Sequence, residues 1–338
     1  MKIDTTMVLD NPAAAAALAQ QLEAVGYDGI YSFEGQHDPF LPLALASQTT
    51  STVQLGTGIA VAFARNPMSL AYLANDMQLL SQGRFILGLG TQIQAHIEKR
   101  YSSTWSQPAA RLRDMVLAIR AIFSAWQTGD RLRYEGEFYK HTLMTPAFSP
   151  GANPYGIPPI YCGGFGPKMT EVVGEVADGF IAHPFHTPES IQQITLPALQ
   201  RGFSKAGKNR KDFTLAVNLI IGTGDSEESL GEAREKIRRQ IAFYGSTPAY
   251  RPVLDVHGMG ELQTQLNILS KDGHWDAMAA LVSDELLDAV AIVCPREEMA
   301  EKIRARCEGV FDRVNLVARY TPDAADWADV VCALKQLQ

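Results

Sequence analysis

The fold is decided by residues 53–90, which have the sequence VQLGTGIAVAFARNPMSLAYLANDMQLLSQGRFILGLG. Residues 53–59 form a short apolar run that ends in glycines, a pattern typical of a buried strand. Pro67 then opens an apolar helical pattern, and Gly83 ends that pattern as a C-cap. Residues 85–89 form a second short apolar run of the kind found in parallel sheets. The stretch therefore predicts one β-α-β unit.

The same alternation of short strands and longer helices extends to both sides of this unit. Six more strands are predicted, at residues 3–8, 29–33, 159–162, 179–182, 213–221 and 313–317. Helical patterns lie between the strands, the clearest at 12–25, 42–50, 67–81, 108–126, 188–206 and 296–307. Eight β-then-α units are what a closed parallel barrel requires, so we predict a (β/α)8 TIM barrel. The main rival is an open doubly wound sheet, which usually has a glycine-rich turn after strand one, where this chain has Leu9-Asp-Asn-Pro12.

The domain organisation follows from composition and spacing. The 338 residues are 46% hydrophobic and 20% charged, which is typical of a globular protein with a large core. No linker or shift in composition divides the chain, so one domain is predicted over residues 1–338. Residues 245–288 do not fit the alternation, and we interpret them as an insertion between strands seven and eight. Segments in this position lie over the active face of a barrel.

Charge and cysteine content argue against several classes of function. The net charge is −7 and no basic patch is present, which disfavours binding to nucleic acid. No apolar stretch is long enough to cross a membrane, and no apolar signal segment follows Met1. The four cysteines are scattered without a C-x-x-C pair, as is typical of reduced thiols. The sequence therefore predicts a cytoplasmic protein that acts on a small molecule.

Glycines at the ends of strands three and four predict room for a flat ligand. Gly56 and Gly58 lie at the end of strand three, just before Ile59, and Gly88 and Gly90 lie at the end of strand four. Positions without a side chain allow a ring to approach the backbone closely. An ordinary tight loop explains the first pair equally well. For the second pair a structural role is the better interpretation, although the two glycines also leave room for a ring. The pair does not complete the G-x-G-x-x-G pattern of dinucleotide sites, because Ile93 stands where the third glycine is needed.

A third glycine motif follows strand five, where Pro167 opens a helix. The free N–H groups of that first turn and the helix dipole together form an anion site. The glycines let a phosphate group approach, and Lys168 adds positive charge, so we interpret the motif as a phosphate-binding loop rather than a merely flexible one. The predicted cofactor-binding residues are Gly58, Ile59, Gly90, Gly163, Gly164, Phe165, Gly166, Pro167 and Lys168.

Candidate acid–base residues follow strand two. Glu34 and His37 lie at the end of a barrel strand where TIM-barrel catalysis takes place. Histidine exchanges protons near neutral pH, so we predict that His37 and Glu34 handle protons. His96, after strand four, is a third catalytic candidate, although an exposed helix face also explains it. For Asp38 a capping role is the better interpretation.

The only candidate for a metal site is the pair His183 and His186 after strand six. No carboxylate-rich set accompanies the pair, so no metal site is predicted. The G-x-S-x-G motif of a nucleophile elbow does not occur. A metal-dependent barrel hydrolase built on the two histidines remains an alternative.

Taken in chain order, these motifs resemble the luciferase-like monooxygenase superfamily. The most specific segments are 55–59, 65–67 and 79–90, with support from 175–179 and 295–302. More narrowly, residues 34–42, 95–100 and 242–252 resemble the branch that depends on the deazaflavin coenzyme F420. The resemblance covers nearly the whole chain, from residue 3 to about residue 320. It implies a TIM barrel, often dimeric, with the cofactor ring in its mouth and the phosphate tail near the strand-five loop.

The resemblance also implies a bulge after strand three that supports one face of the ring, with a cis peptide bond between Gly58 and Ile59. The residues themselves also allow a trans bond in an ordinary loop. The implied function is hydride transfer between F420 and a small organic substrate, in which the cofactor carries the chemistry. The alternatives are an FMN-dependent two-component monooxygenase and a cofactor-binding protein without turnover.

Overall fold

The computed structural model describes residues 1–317 and 324–337. Within these residues the strands are β1 (Lys2–Thr6), β2 (Gly29–Ser32), β3 (Gln54–Thr57), β4 (Ala60–Val61), β5 (Phe85–Gly90), β6 (Tyr134–Glu135), β7 (Lys140–His141), β8 (Ile160–Gly163), β9 (Gly179–Ala182), β10 (Thr214–Gly222), β11 (Ala291–Val293) and β12 (Arg313–Val317).

Eight of the strands form a closed parallel barrel, in the order β1, β2, β3, β5, β8, β9, β10 and β12. The barrel closes at β12, where Asn315 lies opposite Asn218 of β10 on one side and Asp4 of β1 on the other. The predicted TIM barrel is therefore confirmed. Strands β4 and β11 add short parallel pairings beside β5 and β10, and β6 pairs with β7 in a separate hairpin.

The helices that surround the barrel begin and end where the local sequence dictates. Asn66 caps one of them, accepting a hydrogen bond from the backbone N–H of Ser69, and Gly26 ends another with φ of +99°. The α-helices of the described residues are α1 (Ala15–Val25), α2 (Phe40–Ser47), α3 (Pro67–Leu80), α4 (Gln94–Lys99), α5 (Pro108–Thr128), α6 (Pro167–Val176), α7 (Pro188–Ser190), α8 (Leu196–Ala206), α9 (Glu227–Gly245), α10 (Arg251–Val256), α11 (Gly260–Lys271), α12 (Trp275–Ala280), α13 (Asp284–Val290), α14 (Arg296–Cys307) and α15 (Ala328–Gln336).

The barrel interior is packed, and its amino-terminal end is closed by charge. Asp4 and Arg313 form a buried ion pair there, with 2.6 Å between Oδ1 and Nη2. Such a pair is tolerated in the interior because each charge neutralises the other. Above it lies a layer of large side chains from four strands, namely Tyr31, Ile86, Tyr161 and Ile181. The end that remains for a site is the carboxyl end of the strands, the mouth of the barrel.

The segment between β10 and β12 contains the predicted insertion. Residues 245–288 fold into short helices, from α10 to most of α13, which pack with α9 around the fully buried Phe185. His257 ties this segment to the barrel, because its Nε2 lies 2.9 Å from Oγ1 of Thr187. Thr187 follows β9, so the insertion contacts the mouth. In the described ranges, no helix is both long and apolar enough to cross a membrane.

Candidate functional site

A bulge interrupts the sheet after β3. The peptide bond between Gly58 and Ile59 is cis, as predicted. The backbone N–H of Gly58 donates to the carbonyl of Ser32 at 2.7 Å. The chain then pairs with β5 as β4, with Ala60 opposite Leu89. The bulge brings the side chain of Ile59 to the inner side of the barrel mouth.

Two of the predicted glycines lie against Ile59, and one of them, Gly90, makes room for its side chain. A Cβ atom built on Gly90 would lie 2.7 Å from Cγ1 of Ile59, too close for any larger residue without a shift. A Cβ atom on Gly163 would lie 3.4 Å from Cγ2 of Ile59, at ordinary contact distance. Ile59, Gly90 and Gly163 together form what we call the Ile59 ridge, an apolar side chain that packs over the buried backbone of Gly90 and lies beside the half-buried Gly163.

Gly88 serves the sheet, in agreement with the structural role that the sequence favours for this motif. A Cβ atom on Gly88 would fall 1.8 Å from the carbonyl oxygen of Thr57. The hydroxyl of Thr57 also bonds Gly88 twice, donating to its carbonyl at 2.7 Å and accepting from its N–H at 2.8 Å. The glycine is needed because β3 and β5 approach each other closely here.

Glu34 holds the bulge in place. Its carboxylate accepts hydrogen bonds from the N–H of Val61 at 2.7 Å, from Arg65 at 2.5 Å and from the hydroxyl of Tyr101 at 2.8 Å. Its own N–H donates to the carbonyl of Ile59 at 3.1 Å. The side chain is only 7% exposed. These contacts are those of a structural carboxylate, and the proton-handling role stays a prediction.

Arg65 links Glu34 to a second carboxylate, that of Asp38. Arg65 also pairs with Asp38 at 2.7 Å. Burial lowers the pKa of Arg65, but its bonds and charges shared with Glu34 and Asp38 raise it above the ordinary value overall. Asp38 has the predicted capping contact as well, accepting from the N–H of Phe40 at 2.9 Å. The loop after β2 is thus tied to the bulge by one arginine.

The two predicted catalytic histidines have different surroundings. His37 is half-buried, and its Nε2 lies 3.1 Å from the carbonyl oxygen of Asp10 in the loop after β1. His96 is exposed on α4, and its ring makes no hydrogen bond to the part of the chain that is described. The end of α4 touches the loop after β2 through Arg100, which donates to the carbonyl of Gly35 at 2.7 Å. The predicted roles of both histidines stay predictions.

The predicted phosphate loop leads into the open amino end of α6. Gly166 precedes Pro167 with φ of +82°, a conformation that favours glycine, and no side chain caps the helix. The side chain of Lys168 is exposed and forms no ion pair with any described residue. Gly164 is packed tightly, since a Cβ atom there would lie 2.5 Å from Cγ of Met169. The loop can therefore offer backbone N–H groups and a positive charge to an anion.

Phe165 connects this loop to the insertion. Its ring centroid lies 4.4 Å from that of Tyr250, and its ring meets His183 edge-on at 6.3 Å. His183 in turn accepts a hydrogen bond from the N–H of Phe185 at 3.0 Å and lies 3.1 Å from the hydroxyl of Tyr250. Sequence reasoning singled out neither Tyr250 nor this contact.

The histidine pair considered for a metal is used in other ways. His186 is buried, its Nδ1 lies 2.8 Å from the carbonyl of His183, and burial lowers its pKa to about 4. Across residues 1–317 and 324–337, no group of three histidines, cysteines or carboxylates could hold a metal ion. These residues therefore give no support to a metal-dependent hydrolase.

The sequence analysis also missed a layer of polar side chains on β1, β10 and β12. Asn315 donates through Nδ2 to Thr6 Oγ1 and to Asn218 Oδ1, both at 2.8 Å. Asn218 donates to the carbonyl of Ala182 at 3.2 Å. The Oδ1 atom of Asn315 is buried without a partner in the described ranges. An asparagine inside the apolar run of strand seven was the available signal, since buried polar groups need partners.

The parts of the site fit one kind of ligand. The Ile59 ridge offers apolar contact to one face of a flat ring, and the strand-five loop offers an anion site at a helix end. Both lie at the carboxyl ends of neighbouring strands, where barrel chemistry takes place. A flavin-like ring with a phosphate tail matches this donor set.

Comparison with known proteins agrees with this arrangement. The sequence profile of the luciferase-like monooxygenase family matches residues 2–313. An uncharacterized protein of Mycobacterium tuberculosis is 50% identical over 302 residues, 89% of each chain. A 5,10-methylenetetrahydromethanopterin reductase of Archaeoglobus fulgidus is 28% identical over 284 residues, 82% of this chain and 80% of the relative. The coenzyme F420 dependent tetrahydromethanopterin reductase of Methanopyrus kandleri is similar in fold, with a TM-score of 0.79, 20% identity, and coverage of 98% and 96%. The chain belongs to the luciferase-like monooxygenase family.

Proposed function

We propose that this protein is an oxidoreductase that transfers a hydride between coenzyme F420 and a small organic substrate. The observation that carries the proposal is the Ile59 ridge, where one half-buried apolar side chain packs over the backbone of Gly90 and beside Gly163. Such a surface supports a flat ring and leaves the ring's other face open. Sequence relatives named as F420-dependent enzymes, 27% and 28% identical over 83% and 87% of this chain, support the deazaflavin over FMN.

Different residues of the chain would bind different parts of the cofactor. Gly58 and Ile59 would support the ring, and Glu34 would keep that support rigid through its bonds to the bulge. The open end of α6, with Gly166 and Lys168, would bind the phosphate. The bound cofactor supplies the hydride, and the protein supplies orientation and proton handling.

His37 has the chemistry that proton handling requires. A carbonyl oxygen only accepts hydrogen bonds, so the contact to Asp10 needs the proton of His37 on Nε2. In the neutral ring the lone pair then lies on Nδ1, which is able to accept a proton. His37 is therefore our candidate for the group that exchanges a proton with substrate, with Glu34 and His96 ranked behind it.

Anaerobic turnover tests the proposal. The purified protein is mixed with reduced F420 and a panel of small aldehydes, ketones and imines, and the return of the oxidised chromophore is followed. We expect reoxidation that depends on both protein and substrate, with reduced product formed in equal amount. Oxidation that requires oxygen and proceeds with reduced FMN would support a monooxygenase instead. Tight cofactor binding without turnover of any compound would indicate a protein that binds the cofactor but does not catalyse a reaction.

Two further expectations follow, the first from the family resemblance and the second from the lack of a carboxylate set beside the histidine pair. We expect a homodimer, which the mass of the protein in solution tests by light scattering. We also expect no metal requirement, which activity after dialysis against a chelator tests.

A further inference from the structure

An aromatic group covers the mouth above β9. It consists of Phe165, His183, Tyr244 and Tyr250, and we call it the mouth cluster. The rings of His183 and Tyr250 lie 4.5 Å apart, and those of His183 and Tyr244 lie 4.9 Å apart. Both tyrosines come from the segment between β10 and β12, and His183 directly follows β9.

The alternation of side chains along β9 directs His183 toward the barrel axis. A Cβ atom on Gly179 would lie 2.6 Å from the ring of Tyr161 inside the barrel, and Ile181 packs in the same interior layer. Side chains two residues apart on a strand share a face. His183 is the next residue in this series, so its contact to Tyr250 brings the phenol oxygen to the inner side of the mouth.

The hydrogen bonds fix which way the proton between these two rings points. The N–H of Phe185 donates to Nδ1 of His183 at 3.0 Å, so that nitrogen carries no hydrogen. Neutral His183 must then hold its proton on Nε2, which donates to the hydroxyl oxygen of Tyr250 at 3.1 Å. The hydroxyl hydrogen of Tyr250 is left free to be donated elsewhere. Within the described ranges, Tyr250 makes no second hydrogen bond.

Tyr250 is also kept protonated. Burial, with a smaller contribution from Tyr244, raises the pKa of Tyr250 to about 12. The phenol is therefore a donor throughout the physiological range. The hydroxyl of Tyr244 differs, because it is bound by Gln240 one turn earlier in the same helix, at 3.1 Å.

We infer that Tyr250 donates a hydrogen bond to an oxygen atom of the substrate, and that His183 positions it. The substrate class is then a small organic molecule with a carbonyl or alcohol oxygen, held against the aromatic walls of the mouth cluster. That this molecule takes part in hydride transfer rests on the proposed function. The hydrogen bond itself does not, because it requires only the geometry of the mouth cluster.

A matched pair of probes tests the inference. Cyclohexanone and methylenecyclohexane have nearly the same shape, but only the ketone has an oxygen acceptor. Their binding to the full-length protein, with and without F420, is measured by ligand-observed NMR titration. Because the ketone loses its hydration on binding and the alkene does not, the preference is measured relative to the partitioning of the two probes from water into toluene. Against that reference we expect the wild type to prefer the ketone by about two- to tenfold, the range of one neutral hydrogen bond.

Two phenylalanine variants locate the donor. Tyr250→Phe keeps the ring and should abolish the preference for the ketone, whereas Tyr244→Phe should retain it. F420 affinity should be unchanged in both. A ketone preference that survives Tyr250→Phe, one that Tyr244→Phe also abolishes, or its absence from the wild type would overturn the inference. If F420 does not bind while the preference is present and depends on Tyr250, the proposed function fails and the donor site stands.

Discussion

Replacing Glu34 by glutamine separates its two interpretations, as proton carrier and as support of the bulge. The substitution keeps the size of the side chain but removes the charge that faces Arg65 at 2.5 Å. The carboxylate of Glu34 accepts hydrogen bonds from Val61, Arg65 and Tyr101 together. Glutamine would replace one of its oxygen atoms by an N–H₂ group, which would face groups that themselves donate. One amide oxygen cannot serve all three.

The expected loss of stability follows from the burial of the Glu34 carboxylate. Breaking one partner of a buried ion pair typically costs about 3 to 5 kcal/mol. Here Arg65 keeps Asp38, and the glutamine oxygen can still accept from Val61, so we expect a loss of about 2 to 3 kcal/mol in the free energy of unfolding. Because the bulge loses its anchor, F420 affinity should fall as well.

Asp38→Asn is the matched control, since Asp38 pairs with the same arginine but is 40% exposed. An exposed pair of this kind contributes about 0 to 1 kcal/mol, and asparagine retains the cap on Phe40. Urea unfolding followed by tryptophan fluorescence compares the variants, together with F420 titration. Full stability and cofactor affinity in Glu34→Gln, with turnover alone reduced, would refute the structural reasoning and support a proton carrier.

Three further predictions concern the loop, the acid–base group and stability. Gly166→Asp should weaken F420 binding by about tenfold or more, because its carboxylate meets the phosphate at a helix amino end; Gly151→Asp, at a similar φ of +77°, is the control and should bind normally. His37→Ala should lower turnover by about a hundredfold to ten-thousandfold with cofactor affinity nearly unchanged, and a loss confined to affinity would make it a binding residue. Burial raises the pKa of Glu23, but hydrogen bonds from Thr52, Val53 and Ser51 bring it down to about 2. Glu23→Gln should therefore cost about 1 kcal/mol above pH 5, after allowance for solvent screening, and the difference should vanish as the pH falls toward 2; a difference that grows on acidification would contradict this.

The barrel was predictable because its determinants are local. Barrel strands such as β5 and β10 are largely apolar runs that end in glycine, and these signals need no knowledge of distant contacts. The observed ends of an element differ from the predicted ends where residues that are distant in sequence pack against it. The second helix was expected to begin at Pro42, but α2 begins at Phe40 and holds the proline within its first turn. The insertion lies between the predicted strands, yet three of its helices, α10, α12 and α13, have only six or seven residues, too few to leave a clear periodic pattern.

The site was harder to predict because its contacts are distant in sequence. The motif at Gly58 and Ile59 is local, and its cis bond was anticipated through the family resemblance. In contrast, Glu34 meets an arginine that is 31 residues away, and His183 meets Tyr250 across 67 residues. Which polar group faces which partner is settled by strand register and helix packing. A single sequence can suggest the chemistry of Glu34 but not its neutralising partner.

The identity of the cofactor is the central claim, and a competitive equilibrium titration tests it most directly. The cofactor-free protein is titrated with oxidised F420 and with FMN under the same conditions, and bound ligand is measured by fluorescence and by ultrafiltration. We predict that F420 saturates one site per chain and binds at least about tenfold more tightly than FMN, a difference of about 1.4 kcal/mol. Equal or tighter binding of FMN, or no saturable binding of F420, would contradict the account.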